Sequence, residues 1–133
     1  MIFRQVFDNK SSTYTYVIAS AKGREAIIID PVLENVENYT KLLNEFDLKL
    51  VKVIDTHIHA DHITGAADLK AKTSCATVMG ENTPADIVDI KLKDDEIIKI
   101  DDLEIKAIYT PGHTSDSYSF MTVSYTHLTL PTR

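Results

Sequence analysis

The sequence predicts an α/β fold in which helices flank a sheet, a pattern that fits half of an αβ/βα sandwich. Two observations carry this. Short segments rich in β-branched residues recur along the chain, separated by two stretches with helical spacing. At 133 residues the chain also has room for a single domain. Strands are expected over 2–7, 14–19 and 26–30. A helix is expected over 36–46: Asn35 can cap it, and Val36, Tyr39, Leu42, Leu43 and Phe46 form its apolar stripe. Residues 48–54, bounded by Asp47 and Asp55, read as a buried strand. A short helix over 66–72 follows, with Thr64 placed to cap it, then a strand over 76–79. Residues 81–95 carry Glu81, Asp86, Asp89, Asp94 and Asp95 without the spacing of a calcium-binding hand, so they read as a solvated acidic loop. Strands near 96–100 and over 103–109 come next. The second alternates apolar and polar residues, and Thr110-Pro111-Gly112 breaks it. A last strand is expected over 117–122.

The most informative feature lies between the fourth strand and the second helix. Residues 56–62 read Thr-His-Ile-His-Ala-Asp-His, so His57, His59 and His62 surround Asp61 within six positions. Before residue 123 the chain has one other histidine, His113, in the turn that follows residues 103–109. Neutral imidazole and carboxylate are ligands that zinc, iron and manganese share. Scattered surface or core histidines would account for one such residue, but not for three at this spacing around an aspartate. If the chain stays extended past residue 54, period-two alternation sends His57, His59 and Asp61 to one side. The two histidines would then be about 7 Å apart along the strand. His62 has the opposite parity and needs the turn at Ile63–Ala66 to join them. Two strand ends, each presenting histidine, would then meet at a common metal.

Composition narrows the partners. Hydrophobic residues make up 44% and charged residues 26% of a chain with net charge −6, which is ordinary for a soluble domain. There is no basic patch to bind nucleic acid. No apolar run approaches the roughly 20 residues of a membrane span, and no signal peptide is evident. The single cysteine, Cys75, fits a reducing cytoplasm and reads as a small core residue rather than a nucleophile.

Taken together, the His-x-His-x-Asp-His run after a strand and the later Pro-Gly-His-Thr turn resemble the metallo-β-lactamase-fold superfamily. The expected fold is therefore the N-terminal half of that family's sandwich. Residues 3–7, 12–16, 29–32 and 56–66 resemble the persulfide dioxygenase branch, whose members are mononuclear non-haem iron enzymes. That likeness implies one Fe(II) per chain and oxidation of glutathione persulfide to sulfite and glutathione, with a small thiol or persulfide substrate and O2 as partners. Among the metal-site residues (His57, His113, His59 and His62), His57 and His113 would be the two histidines of a facial triad. An aspartate further along the family's sequence would complete it. His59, Asp61 and His62 would lie near the metal, and Asp61 would take a catalytic, proton-handling role. The sister branch, glyoxalase II, is a two-zinc thioester hydrolase. In that alternative His57, His59 and His113 hold one zinc and Asp61 and His62 the other. The visible ligands serve both chemistries. Where the family commonly has Pro-Gly after His113-Thr114, this chain has Ser115-Asp116, read as a tolerable loop change.

The resemblance covers residues 1–122, taken as a partial domain. Residues 123–133 match one reading frame of a transposon-end sequencing adapter and are read as a non-native tail, with no role for His127. The rival reading is a genuine Thr-rich β-segment. On the truncation reading the chain as written is a third, non-catalytic possibility. It would be inactive and poorly folded, with Val53, Ile54, Ile105 and Ile108 exposed for want of a covering layer. Oligomeric state stays open at this level, a homodimer of the full-length parent among the options.

Overall fold

The computed structural model describes residues 1–58, 64–83, 88–101, 103–112 and 116–122. Among the described residues nine strands and two helices follow in the order β1 (Ile2–Asp8), β2 (Thr13–Ala19), β3 (Glu25–Ile29), α1 (Val36–Glu45), β4 (Lys49–Ile54), α2 (Ala66–Thr73), β5 (Ala76–Gly80), β6 (Ile90–Leu92), β7 (Ile97–Ile100), β8 (Leu103–Tyr109) and β9 (Tyr118–Thr122). A single 3-10 turn, Leu33–Asn35, leads into α1. The first six strands form one sheet in sequence order, and β7, β8 and β9 form a second. β1, β2 and β3 pair antiparallel, whereas β3, β4, β5 and β6 run parallel. The helices α1 and α2 supply the first two parallel crossovers.

The order of layers follows from burial. Both faces of the large sheet are apolar. One face, with Val17, Ile28 and Val53, packs under α1 and α2 through Val36, Tyr39, Leu43 and Leu69. The other face, with Tyr16, Ile27, Ile29, Ile54 and Val78, packs on the small sheet through Ile98, Ile105 and Phe120. The continuous Ile27-Ile28-Ile29 run is what a strand covered on both sides requires. Val53, Ile54 and Ile105 are accordingly fully buried and Ile108 is half-buried. The expected exposure is corrected for three of the four: the helices cover Val53, and the two sheets cover Ile54 and Ile105 against each other, whereas Ile108 keeps part of its surface open. Cys75 is buried beneath the helices, as its sequence reading expects.

Three local expectations need revision. Asn35 does sit at the start of α1, but its side chain makes no cap. Its amide instead donates to Asp8 Oδ1 at 3.2 Å, because the preceding 3-10 turn has already engaged the backbone there. The α2 cap position is Gly65 rather than Thr64. A Cβ at Gly65 would press on Val36, where the two helix starts approach each other. Lastly, 81–95 is not simply a solvated loop. Residues 90–92 add a parallel strand to the sheet, and Asp89 closes its start by accepting from Lys70 Nζ at 2.7 Å and Thr77 N–H at 2.9 Å. Those two donors, Lys70 first, hold the Asp89 carboxyl below its ordinary value.

Asp101, in left-handed backbone at the β7–β8 turn, ties the two sheets together. It accepts the Glu25 amide N–H at 2.8 Å and pairs with Arg24 at 3.3 Å. The amide above all, then the guanidinium, lower its pKa from the ordinary 3.8. A carboxyl lowered on folding adds stability above its unfolded value and loses it as pH falls through the folded one. Asp101→Asn is therefore expected to melt below the parent protein at neutral pH. The gap should close as pH drops under about 4. Thermal melts across pH 2–7 check this; a constant gap would show that the charge contributes nothing.

Candidate metal centre

In an open parallel sheet, ligands bind beyond the carboxyl ends of the strands. Here that edge carries Asp30 after β3, Asp55 to His57 after β4, and Glu81 to Thr83 after β5. Each strand exit is stitched to its neighbour. The Asp30 amide donates to the Ile54 carbonyl at 2.7 Å, Asp55 to Val78 at 3.1 Å, and Glu81 to Leu92 at 2.7 Å. The ends of four strands thus form one rigid rim.

The chain does not continue extended from that rim. β4 ends at Ile54 and the backbone bends at Thr56–His57, so period-two alternation stops before the first histidine. The bend is built by Asp30. Its backbone is left-handed, with φ 56°, a conformation aspartate tolerates better than most residues. Its buried carboxylate accepts the Thr56 N–H at Oδ1 (2.7 Å) and the Thr56 hydroxyl at Oδ2 (2.8 Å). The Thr56 Oγ1 also lies 2.9 Å from His57 Nδ1. Thr15 donates to the Asp30 carbonyl at 2.7 Å and lies 3.0 Å from the Tyr39 hydroxyl, which accepts the Val32 N–H at 3.0 Å. Burial pushes the Tyr39 phenol above its ordinary value, which keeps it a neutral link in this chain.

The far side of the motif is anchored as well. Asp55, largely buried, accepts the Thr64 hydroxyl at 2.9 and 3.0 Å, and the same Thr64 oxygen accepts the Ala66 N–H at 3.2 Å. Thr64 also bridges to Val32, and Gly65 N–H donates to the Pro31 carbonyl at 2.9 Å. Both ends of the 56–64 segment are therefore held by residues that follow β3.

Two further bonds tie the first histidine motif to the start of β9. Tyr118 N–H donates to the Thr56 carbonyl at 2.9 Å. Ile58 N–H donates to Asp116 Oδ2 at 2.9 Å, and Asp116 is only 4% exposed. The Ser115-Asp116 departure is thus more than a loop change: its carboxylate straps the strand exit before β9 onto the motif after β4. The available sequence signal was an aspartate at the position where the family commonly has glycine.

Of the residues singled out in the sequence, His57 is placed at the rim, 7% exposed. His59, Asp61, His62 and His113 lie outside the described residues. Among the described residues no three His, Cys, Asp or Glu side chains come together as a metal-holding group. The one candidate ligand that is placed has a side-chain arrangement compatible with a metal. Its Nδ1 meets the neighbouring Thr56 hydroxyl, the kind of contact that orients a metal-bound imidazole, and a metal would then be held through Nε2. Sequence reasoning missed Asp30, Thr56 and Asp116, because their roles depend on contacts between residues 26 and 58 positions apart.

Known proteins share this fold. Residues 8–85 match the metallo-beta-lactamase superfamily. The mouse mitochondrial persulfide dioxygenase ETHE1 is 35% identical over 122 residues, which is 91% of this chain and 48% of that protein. A probable hydroxyacylglutathione hydrolase of Schizosaccharomyces pombe is 33% identical over 109 residues, 80% of this chain and 42% of that one. The crystal structure of ETHE1 from Myxococcus xanthus superposes with a TM-score of 0.87 at 42% identity, covering 92% of this chain and 54% of that one. The chain thus spans about half the length of the relatives it matches. With a matching family model over more than half its residues and the α/β sheet pair of the solved relative, the chain belongs to the metallo-beta-lactamase superfamily.

Proposed function

We propose that the protein carrying this chain is a non-haem iron persulfide dioxygenase that oxidises glutathione persulfide to sulfite and glutathione. The observation that carries this is the extent of the likeness. Similarity to persulfide dioxygenases runs over nine-tenths of the chain and includes the histidine motif, whereas similarity to the S. pombe hydrolase covers less. In this reading His57 and His113 are two of the iron's protein ligands. The third, an aspartate, would come from the part of the parent protein that this chain does not span. His59, Asp61 and His62 orient ligands and handle protons beside the metal. The iron supplies open positions where a persulfide sulfur and O2 can meet. The chain's own residues supply orientation: Asp30 and Thr56 hold His57, and Asp116 holds the backbone of Ile58. The reaction uses one O2 and one water per persulfide, and releases sulfite and the thiol. A cytoplasmic setting belongs to the same proposal and rests on cysteine usage alone.

The rival is a two-zinc thioester hydrolase, favoured by the hydroxyacylglutathione hydrolases among the relatives. Metal content separates the two. Anaerobic reconstitution of the full-length protein is expected to give one iron per chain, and an oxygen electrode should record O2 uptake dependent on glutathione persulfide. Two tightly held zincs, with thioester hydrolysis and no O2 uptake, would establish the rival instead.

A further inference from the structure

We infer that Asp30, acting through Thr56, is a positioning residue that sets the tautomer of His57. The inference rests on the reading of His57 as a metal ligand only for its consequence, not for its geometry. The Thr56 hydroxyl has one proton and two neighbours: Asp30 Oδ2 at 2.8 Å and His57 Nδ1 at 2.9 Å. An ionised carboxylate can only accept, so the proton goes to Asp30. The hydroxyl oxygen is then left as an acceptor, and His57 Nδ1 must carry the hydrogen that meets it. The neutral ring therefore has its lone pair on Nε2. All three side chains are buried at the sheet rim, where a mismatched donor or acceptor is costly. The backbone reinforces the arrangement, because the Thr56 amide donates to the other carboxylate oxygen and fixes the carboxylate's orientation.

This relay makes a sharp forecast for Asp30→Asn, a nearly isosteric change. The Thr56 N–H can only donate, so it selects the amide oxygen of Asn and turns the NH2 toward Thr56 Oγ1. Oγ1 now accepts from that NH2 and must give its own proton to His57 Nδ1. The ring is forced into the other tautomer, with hydrogen on Nε2 and no lone pair there for a metal. Shape and burial are almost unchanged, yet the ligand atom is lost.

The test is long-range proton–nitrogen correlation NMR on the metal-free full-length protein, at about pH 8 so that imidazoles are neutral. Signals of His57 are assigned by their loss in His57→Gln. The expected result is hydrogen on Nδ1 in the parent protein, hydrogen on Nε2 in Asp30→Asn, and the parent pattern in Thr56→Ser, which keeps the hydroxyl. Zn(II) titration, with zinc alone as the probe, should show an affinity loss of about 10–100-fold for Asp30→Asn. Hydrogen on Nε2 in the parent protein, or an unchanged tautomer in Asp30→Asn, overturns the relay. If Asp30→Asn does not fold, the parent and Thr56→Ser spectra still decide it. A tautomer switch with unchanged zinc affinity supports the relay and refutes His57 as a ligand, so the two failures are distinguishable.

Discussion

Replacing His57 with alanine is expected to strip the metal from the full-length protein while leaving the fold nearly intact. The affinity loss should exceed the roughly 10–100-fold that follows from altering a residue behind a ligand. The fold should survive because both Thr56 donors keep their acceptor in Asp30 when the ring is gone. The Asp30–Thr56 bonds that shape the bend do not run through the ring, so the melting temperature should move little. His113→Ala should behave alike toward metal. Asp61→Asn, by contrast, should keep most of the iron and lose about 10–100-fold in rate. Elemental analysis and thermal melts of the three variants check this. If Asp61→Asn empties the site as completely as His57→Ala, Asp61 is itself a ligand and the two-metal hydrolase reading gains.

Tyr118→Ala is expected to be the most destabilising single change at the interface of the two sheets. The Tyr118 ring is fully buried and rests on Gly80, where any Cβ would run into it. It packs beside Tyr109 at 5.3 Å between ring centroids, and its hydroxyl donates to Asn82 Oδ1 at 2.9 Å. Burial above all, with the carboxylates of Glu81 and Asp94 adding to it, pushes this phenol up and keeps it a neutral donor. Emptying such a site costs about 3–5 kcal/mol, the range for truncating a buried aromatic. For a domain of this size that is a fall on the order of 10 °C or more in melting temperature. Gly80→Ala should cost about 1–3 kcal/mol by overpacking. The two losses should not add, since without the ring the new methyl has room. A double-mutant cycle in urea measures this coupling. Strict additivity would show that the ring does not depend on Gly80 for its place.

The two bonds across the histidine motifs link these stability and metal predictions. Tyr118 anchors β9 to Thr56 through its backbone, and Asp116 anchors the same segment to Ile58. The small sheet therefore does more than bury Ile54 and Val78. It holds the start of β9 against the bend at Thr56–Ile58, which fixes two distant parts of the chain to one another.

Much of the fold was legible in the sequence because its elements report themselves locally. Ile27–Ile29 and residues 49–54 are β-branched runs, the Val36–Leu43 stripe has helical spacing, and 103–109 alternates. The family was legible because four histidines and an aspartate at fixed spacing are a local signal too. The sequence by itself therefore determined the order of the helices and of every strand but β6, the likeness to metallo-beta-lactamases and the candidate ligands. Only the tertiary structure decided that 90–92 joins the sheet as a parallel strand, since three residues carry too little periodicity to stand out from the acidic residues around them. It alone showed Val53, Ile54 and Ile105 covered, because burial of a strand face depends on which layer, helices or sheet, packs against it. It alone joined Asp30 to Thr56 and Asp116 to Ile58, pairs 26 and 58 residues apart. A carboxylate's hydrogen-bond partner is chosen by where the backbone brings donors, and no spacing along the chain encodes that.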